Sequence, residues 1–168
     1  SVDASAYGIY QTITLTDDAD TNSGRVTVPG ATKLNVSATG GGVTGSGTAV
    51  SADAYAYGIN NATDNLNGSI IPGRATMSLG AVSGSVTAAG GTANVASSSS
   101  NDAYAEAYGV ENMGVLTLDS VDLTVEAKGG TIAAGTGTAN AEAYGIETNV
   151  GSTNGSKSKL TVAGTTNL

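Results

Sequence analysis

The sequence predicts an all-β fold, a single domain over residues 1–168 wound as a parallel β-helix (β-solenoid). Three observations lead to this prediction. The element Ala-Tyr-Gly-(Ile/Val) is written four times along the chain. Between the copies, apolar and polar residues alternate with the period of two that marks a strand with one buried face. Short strand-like segments return in a fixed order, which is typical of repeats that stack on one another.

The copies define about four imperfect repeats, with Tyr7, Tyr57, Tyr108 and Tyr144 as markers. Two further strand-like elements recur between them. The first reads GRVTVPGAT at 24–32, GSIIPGRAT at 68–76 and GVLTLDSVD at 114–122. The second reads KLNVSATGGG at 33–42, MSLGAVSGS at 77–85, LTVEAKGG at 123–130 and LTVAGTT at 160–166. Each repeat is expected to form one or two coils.

The composition favours a thin core rather than a thick one. The chain has 25 Gly and 7 Tyr but no Phe, Trp, Cys or His. A globular core depends on large aliphatic and aromatic side chains, which are sparse and evenly spread in this sequence. We therefore expect an elongated interior lined by Ala, Val, Ile, Leu and Thr.

The repeated Tyr-Gly pair is predicted to be a structural corner. In this interpretation glycine lets the backbone turn, the following Ile59, Val110 and Ile146 point inward, and the tyrosine rings stack along the solenoid and cover its core. The alternative is an exposed row of tyrosines that binds sugar rings or a partner. The corner residues are Tyr7, Gly8, Tyr57, Gly58, Tyr108, Gly109, Tyr144 and Gly145.

Charge and hydropathy exclude several classes of partner. The formal net charge is −8, with only six Lys and Arg, which opposes binding to nucleic acid phosphates. No run of about 18 apolar residues is present, so we expect no membrane insertion. An acidic surface rich in Ser, Thr and Asn suits a hydrated extracellular protein.

Catalysis has few candidate residues, so we expect no enzyme and no cofactor. The absence of His and Cys removes the usual imidazole base and thiolate nucleophile. The carboxylates fall singly, mainly in loops. Asp119 and Asp122 are close, but on a segment that reads as a turn between strands.

One acidic segment has the spacing of a metal loop. In DDADTNSG at 17–24, Asp18, Asp20 and Asn22 reproduce the Asp-x-Asp-x-Asn start of a calcium loop. Ser23 stands where that loop needs glycine, and the bidentate glutamate of its twelfth position is missing, which excludes an EF-hand. A solvated acidic loop and a weak calcium site both remain open.

With these repeats, the sequence resembles the passenger domains of bacterial autotransporters and related β-helical surface adhesins. The resemblance lies in the AYGI-type copies, the LTV-x-A-x-GG strands and the Gly/Ala/Ser/Thr/Asn bias without Cys. It implies a right-handed β-helix and display or release outside a Gram-negative cell. Coils of roughly 20–30 residues, as this family implies, would number about six to eight. The family's signal peptide and C-terminal membrane barrel are not seen, so we expect a processed product or a segment.

Two functional classes follow. The first is an extracellular structural protein, a stalk or fibre subunit that associates head to tail and supports adhesion, because the end of the chain joined to its start would regenerate a repeat. The second is an adhesin module that recognises a glycan or a host protein. A polysaccharide-active enzyme ranks third. Ice binding ranks last, since the copies do not place the same Thr pair on every coil.

Overall fold

The computed structural model describes residues 1–15, 23–45, 49–65, 74–96, 100–148 and 158–168. Within these ranges the chain forms β-strands and turns, and it contains no helix long and apolar enough to span a membrane. The prediction of an all-β fold with parallel strands is confirmed. The strands are β1 (Val2–Leu15), β2 (Gly24–Val28), β3 (Thr32–Thr39), β4 (Gly42–Thr44), β5 (Ala49–Asn65), β6 (Ala75–Ala89), β7 (Thr92–Asn94), β8 (Ser100–Asp102), β9 (Ala105–Asn112), β10 (Val115–Lys128), β11 (Thr131–Ala134), β12 (Gly137–Thr138), β13 (Ala141–Thr148), β14 (Lys159–Val162) and β15 (Thr166–Asn167).

Sheet A is built from the four Ala-Tyr-Gly copies. Strands β1, β5, β9 and β13 pair in that order, all parallel, with the short strands β8 and β12 continuing the pairing from the start of β5. Tyr7 pairs with Tyr57, Tyr57 with Tyr108, and Tyr108 with Tyr144. The tyrosine markers read from the sequence are therefore neighbours in one sheet.

Sheet B carries the remaining strand-like elements. Its order is β2 and β3 beside β6, then β10, then β14 and β15. The pairing corrects the predicted alignment of the second and fourth repeats. Gly24 pairs with Ala75 rather than with Gly68, and residues 160–162 pair with 116–118 rather than with 123–125. The predicted alignment of the second repeat was wrong because it matched the Pro-Gly dipeptide that both segments contain. The inward apolar positions, which decide register, place 24–28 opposite 75–79.

The expected number of coils is also corrected by the pairing. Each Ala-Tyr-Gly copy supplies one long strand to sheet A, and marker tyrosines that pair lie 50, 51 and 36 residues apart. Among the described strands, the marker strands of sheet A form four layers, fewer than the six to eight coils expected. The family resemblance implied coils that are shorter than the observed spacing of the paired markers.

The two large sheets face each other across one thin core. Sheet A contributes mainly alanine, and sheet B contributes Leu, Val and Met, so small side chains on one side meet larger ones on the other. The buried members are Leu34, Val36, Ala38, Ala54, Ala56, Ile59, Met77, Leu79, Val82, Val86, Ala88, Ala105, Ala107, Val110, Leu116, Leu118, Val121 and Leu123. This arrangement explains why the interior has no place for Phe or Trp.

Gly-Gly pairs mark the bends where sheet B ends. Residues 40–41, 90–91 and 129–130 separate β3 from β4, β6 from β7 and β10 from β11. Strands β4, β7 and β11 then form a small parallel sheet C. A Cβ atom on Gly91 would lie 1.8 Å from the carbonyl oxygen of Gly41. Successive layers therefore lie too close together at Gly91 for any residue that carries a Cβ atom.

Candidate functional site

A column of stacked tyrosines runs across sheet A. The ring centroids of Tyr7 and Tyr57 are 4.9 Å apart, those of Tyr57 and Tyr108 are 5.1 Å apart, and those of Tyr108 and Tyr144 are 4.8 Å apart. The interplanar angles are 6°, 2° and 10°. The strand spacing of roughly 4.8 Å imposes this separation, because in-register residues of parallel strands repeat at that distance. The four rings are therefore a single continuous stack.

The Tyr-Gly pairs lie inside strands, not between them. β5 runs from Ala49 to Asn65 without a break, and Gly8, Gly58, Gly109 and Gly145 are absent from the glycines with positive φ. The alternation of buried and exposed side chains along the strand shifts by one residue at the Tyr-Gly pair. Ala56 and Gly58 are buried before the change, and Ile59 and Asn61 are buried after it. At the position of the expected corner the strand therefore continues, and only its alternation of buried and exposed side chains shifts.

Close packing explains why glycine follows each tyrosine. A Cβ atom on Gly58 would lie 2.6 Å from the carbonyl oxygen of Gly109 and 2.7 Å from Cγ2 of Val86 in sheet B. Gly109 has the same surroundings one layer on, with Val125 in place of Val86. Glycine at this position lets the two sheets approach. Ile59 and Val110 are fully buried, as predicted, and Ile146 is partly buried.

The stack limits what the tyrosine row can bind. Both faces of the Tyr57 and Tyr108 rings are covered by neighbouring tyrosines. Sugar rings bind aromatic side chains through the ring face, so the inner rings offer only their edges and hydroxyl groups. Tyr7, at the edge of the sheet, is 47% exposed and is the more accessible ring.

Two glutamates accept hydrogen bonds from the stacked tyrosines. The hydroxyl of Tyr108 donates to Glu106, and the hydroxyl of Tyr144 donates to Glu142. The bond to Glu142, with a smaller effect of burial, raises the pKa of Tyr144 to about 12. Burial, followed by the bond to Glu106, raises the pKa of Tyr108. Glu106 and Glu142 are themselves paired in register, so the bonded pairs of β9 and β13 lie side by side.

A second acidic column lies on the other side of the stack. Glu111 pairs in register with Glu147, and Asn60 Nδ2 donates to Glu111 Oε2 at 2.5 Å. Burial raises the pKa of Glu111 to about 7, and the negative charges of Glu147 and Glu106 add to this effect. Part of the Glu111 population is therefore protonated near neutral pH.

A column of amide side chains is buried beneath this face. Asn61 Nδ2 donates to Asn112 Oδ1 at 2.9 Å, and both side chains are fully buried. Asn112 Nδ2 donates to the carbonyl oxygens of Gly114 at 3.1 Å and Lys159 at 3.2 Å. The Gly114 N–H donates back to Asn112 Oδ1 at 3.2 Å. These bonds tie the end of sheet A to the start of the strands of sheet B.

The other predicted site residues are the calcium candidates and a pair of aspartates. Asp18, Asp20 and Asn22, the calcium candidates, lie outside the described residues. Asp119 and Asp122 lie within β10 and not in a turn, because the strand continues through buried Val121. In the described part of the chain, no three Asp, Glu, His or Cys side chains form a group suited to a metal ion.

Sequence reasoning missed the two glutamate columns and the buried asparagines. The signal was present in the third and fourth copies, AEAYGVEN and AEAYGIET, which carry glutamate two residues before and three residues after tyrosine. In the sequence these carboxylates are far apart from one another. Stacking of the copies brings them together.

No known protein family, curated protein or solved structure matches this chain. The tyrosine stack and its two acidic columns therefore have to be interpreted on their own geometry. The tyrosine column runs through all four marker strands, and in β9 and β13 glutamates lie on both sides of it.

Proposed function

We propose that this protein is an extracellular structural protein, a β-solenoid stalk or fibre subunit that associates end to end and supports adhesion at a bacterial surface. The solenoid interpretation is supported by successive copies that pair in parallel and in register, in the same order in sheets A and B. The shared core of the two sheets also supports it. Repeats that contact only their neighbours are the defining property of a solenoid.

The exposed surface of the outermost layers carries the proposal. Among the described strands, β1 pairs only with β5, and β13 pairs only with β9, so each has one edge without a strand partner. Ala141 and Ala143 are exposed, although Ala105 and Ala107 in the same columns are fully buried. Covering such edges with another copy removes both unpaired backbone groups and exposed apolar surface.

The distribution of exposed apolar side chains agrees with this interpretation. The large ones are Val2, Tyr7 and Tyr10 on β1, and Leu168. All four lie in the two outermost layers. End-to-end contact is heterologous and continues into a filament when it does not close into a ring.

The extracellular location and the adhesive role rest on the resemblance to autotransporter passenger domains and on composition. A net charge of −8 and a surface rich in Ser, Thr and Asn keep such a chain hydrated outside the cell. The repeating polar face of a stacked assembly would present many identical weak contacts, which gives avidity without a single strong site.

Negative-stain electron microscopy over a concentration series tests the proposal. Filaments that lengthen with protein concentration are expected, and more so at 0.5 M than at 0.05 M NaCl (roughly a threefold change in Debye length), since salt screens the net negative charge. Ala143→Lys places a charge on the exposed inward face of β13 and should shorten the filaments. Thr124→Lys adds the same charge to the exposed outer face of β10 and should not. Discrete particles of one size at every concentration would overturn the proposal.

A further inference from the structure

We propose that end-to-end association has one polarity and one register, in which the β13 edge of one copy pairs in parallel with the β1 edge of the next and Tyr144 stacks on Tyr7. This inference rests on the proposed function above. It adds the identity of the paired positions, which the proposal of association leaves open. The partner is a second copy of this chain.

The internal register supplies the first argument. At all three internal junctions of sheet A, tyrosine pairs with tyrosine and the preceding alanines pair with each other. Ala4 pairs with Ala54, Ala54 with Ala105, and Ala105 with Ala141. One more layer in the same register would bring Ala141 against Ala4 of the next copy. The Tyr column would then continue across the junction without a gap.

Charge complementarity supplies the second argument. Inside the molecule, β9 and β13 stack like charges, Glu106 beside Glu142 and Glu111 beside Glu147. In-register like charges destabilise a sheet. Across the proposed junction the same column would set Glu142 against the exposed hydroxyl of Ser5, a donor in place of a second carboxylate. Glu142 at the β13 edge thus meets a neutral hydroxyl at the β1 edge.

Neighbouring columns follow the same pattern. Continuing the register places Asn140 opposite Asp3, so an amide donor meets a carboxylate. It places Glu147 opposite Tyr10, whose ring is 53% exposed and lies 4.8 Å from that of Tyr7. Both exposed tyrosines of β1 would be covered by the arriving layer.

The opposite polarity is disfavoured by the same residues. A two-fold contact between two β13 edges would bring two copies of Glu142 and Glu147 together. It would also run antiparallel, whereas every strand pair described in the molecule is parallel. One like-charge contact opposes the proposed polarity, because the register of sheet B sets Lys159 against Arg25 of the next copy. This contact is at a solvent-exposed edge, where salt screens it.

Disulfide trapping tests the register, and the chain is suited to it because it has no cysteine. The test compares the double variant Ser5→Cys/Glu142→Cys with Asp3→Cys/Glu142→Cys, which is displaced by two residues and roughly 6.6 Å along the strand. Within one molecule Ser5 and Glu142 are three strand spacings apart, roughly 14 Å, which is too far for a disulfide. Any crosslink at these positions is therefore between molecules.

The expected result is a ladder of dimers, trimers and longer species on a denaturing gel for Ser5→Cys/Glu142→Cys under mild oxidation. The displaced variant should remain monomeric on the same gel. Filaments without a ladder would overturn the register and leave the proposed function standing. Crosslinked dimers of Ser5→Cys alone would overturn the polarity. Particles of one size without filaments would contradict both this inference and the proposed function.

Discussion

The ring of Tyr57 lies parallel to the ring of Tyr108, with an interplanar angle of 2° and centroids 5.1 Å apart. The other face of Tyr57 is covered by Tyr7 in the same way. Tyr57 therefore makes two stacking contacts, and its contribution to stability can be separated from that of a tyrosine with one tilted contact.

Replacing Tyr57 by alanine is expected to lower the free energy of unfolding by about 1–3 kcal/mol, because each lost aromatic pair contributes about 0.5–1.5 kcal/mol beyond its buried area. Tyr57→Phe keeps the ring and should change stability little. Tyr55→Ala is the matched control, since Tyr55 meets only Tyr104, tilted, at 6.0 Å. Urea denaturation measures the difference. Equal losses for Tyr57→Ala and Tyr55→Ala would show that stacking contributes nothing.

Substituting Gly58 by alanine should destabilise the fold by about 1–3 kcal/mol, the usual cost of overpacking. The added Cβ would lie 2.6 Å from a backbone oxygen of the adjacent strand, which cannot move without disturbing the sheet. Gly30→Ala is the control, because a Cβ there meets nothing within 4 Å. Thermal unfolding of both variants compares them, and a neutral Gly58→Ala would contradict the close approach of the sheets.

Asn112→Ala is expected to lower the free energy of unfolding by about 2–4 kcal/mol. The substitution removes the shortest hydrogen bond of the buried Asn61 amide, worth about 1 kcal/mol, while its longer bonds to the carbonyl oxygens of Val115 (3.3 Å) and Ala75 (3.4 Å) remain. It also leaves the Gly114 N–H without its acceptor, and an unsatisfied buried group costs about 1–3 kcal/mol. Asn94→Ala, on the exposed face of β7, should stay within about 0.5 kcal/mol of the parent protein. Denaturant midpoints decide the matter. A loss no larger than that of Asn94→Ala would mean that the amide column does not join the sheets.

Glu111→Gln should stabilise the protein at alkaline pH and not at acid pH. The pKa of Glu111 is raised to about 7 in the folded protein, from an ordinary value of 4.5. Between these values the folded protein holds a proton that the unfolded chain releases, so rising pH lowers stability across this window and the full penalty applies above it. The gain of Glu111→Gln over the parent protein should therefore be near zero below pH 4.5 and grow towards pH 8.

Thermal melts from pH 4 to pH 9 measure this gain. Glu126→Gln removes a carboxylate from the exposed face of β10 and controls for the change in net charge. A gain that is the same at all pH values, or one shared by Glu126→Gln, would contradict the assignment to the Glu111 column.

Much of sheet A could be predicted from the sequence because the tyrosine markers are distinctive and pair in register. The register of the second repeat in sheet B could not, because Thr, Ser, Ala and Val occupy many alignments equally well and Pro-Gly favoured the wrong one. The shift in the alternation of buried and exposed side chains at Gly58 could not be predicted either, because a strand is recognised in a sequence by strict alternation. A carboxylate such as Glu106 looks isolated until its partner, 36 residues later, lies beside it.

Strand pairing that joins only successive copies has a consequence for how the chain folds. Every marker tyrosine finds its partner at most 51 residues away, whatever its position in the chain. Contact order thus stays bounded as copies are added, and adding layers does not demand longer loop closures. Each added repeat needs only the preceding repeat to pair with, so folding can propagate from one repeat to the next along the chain.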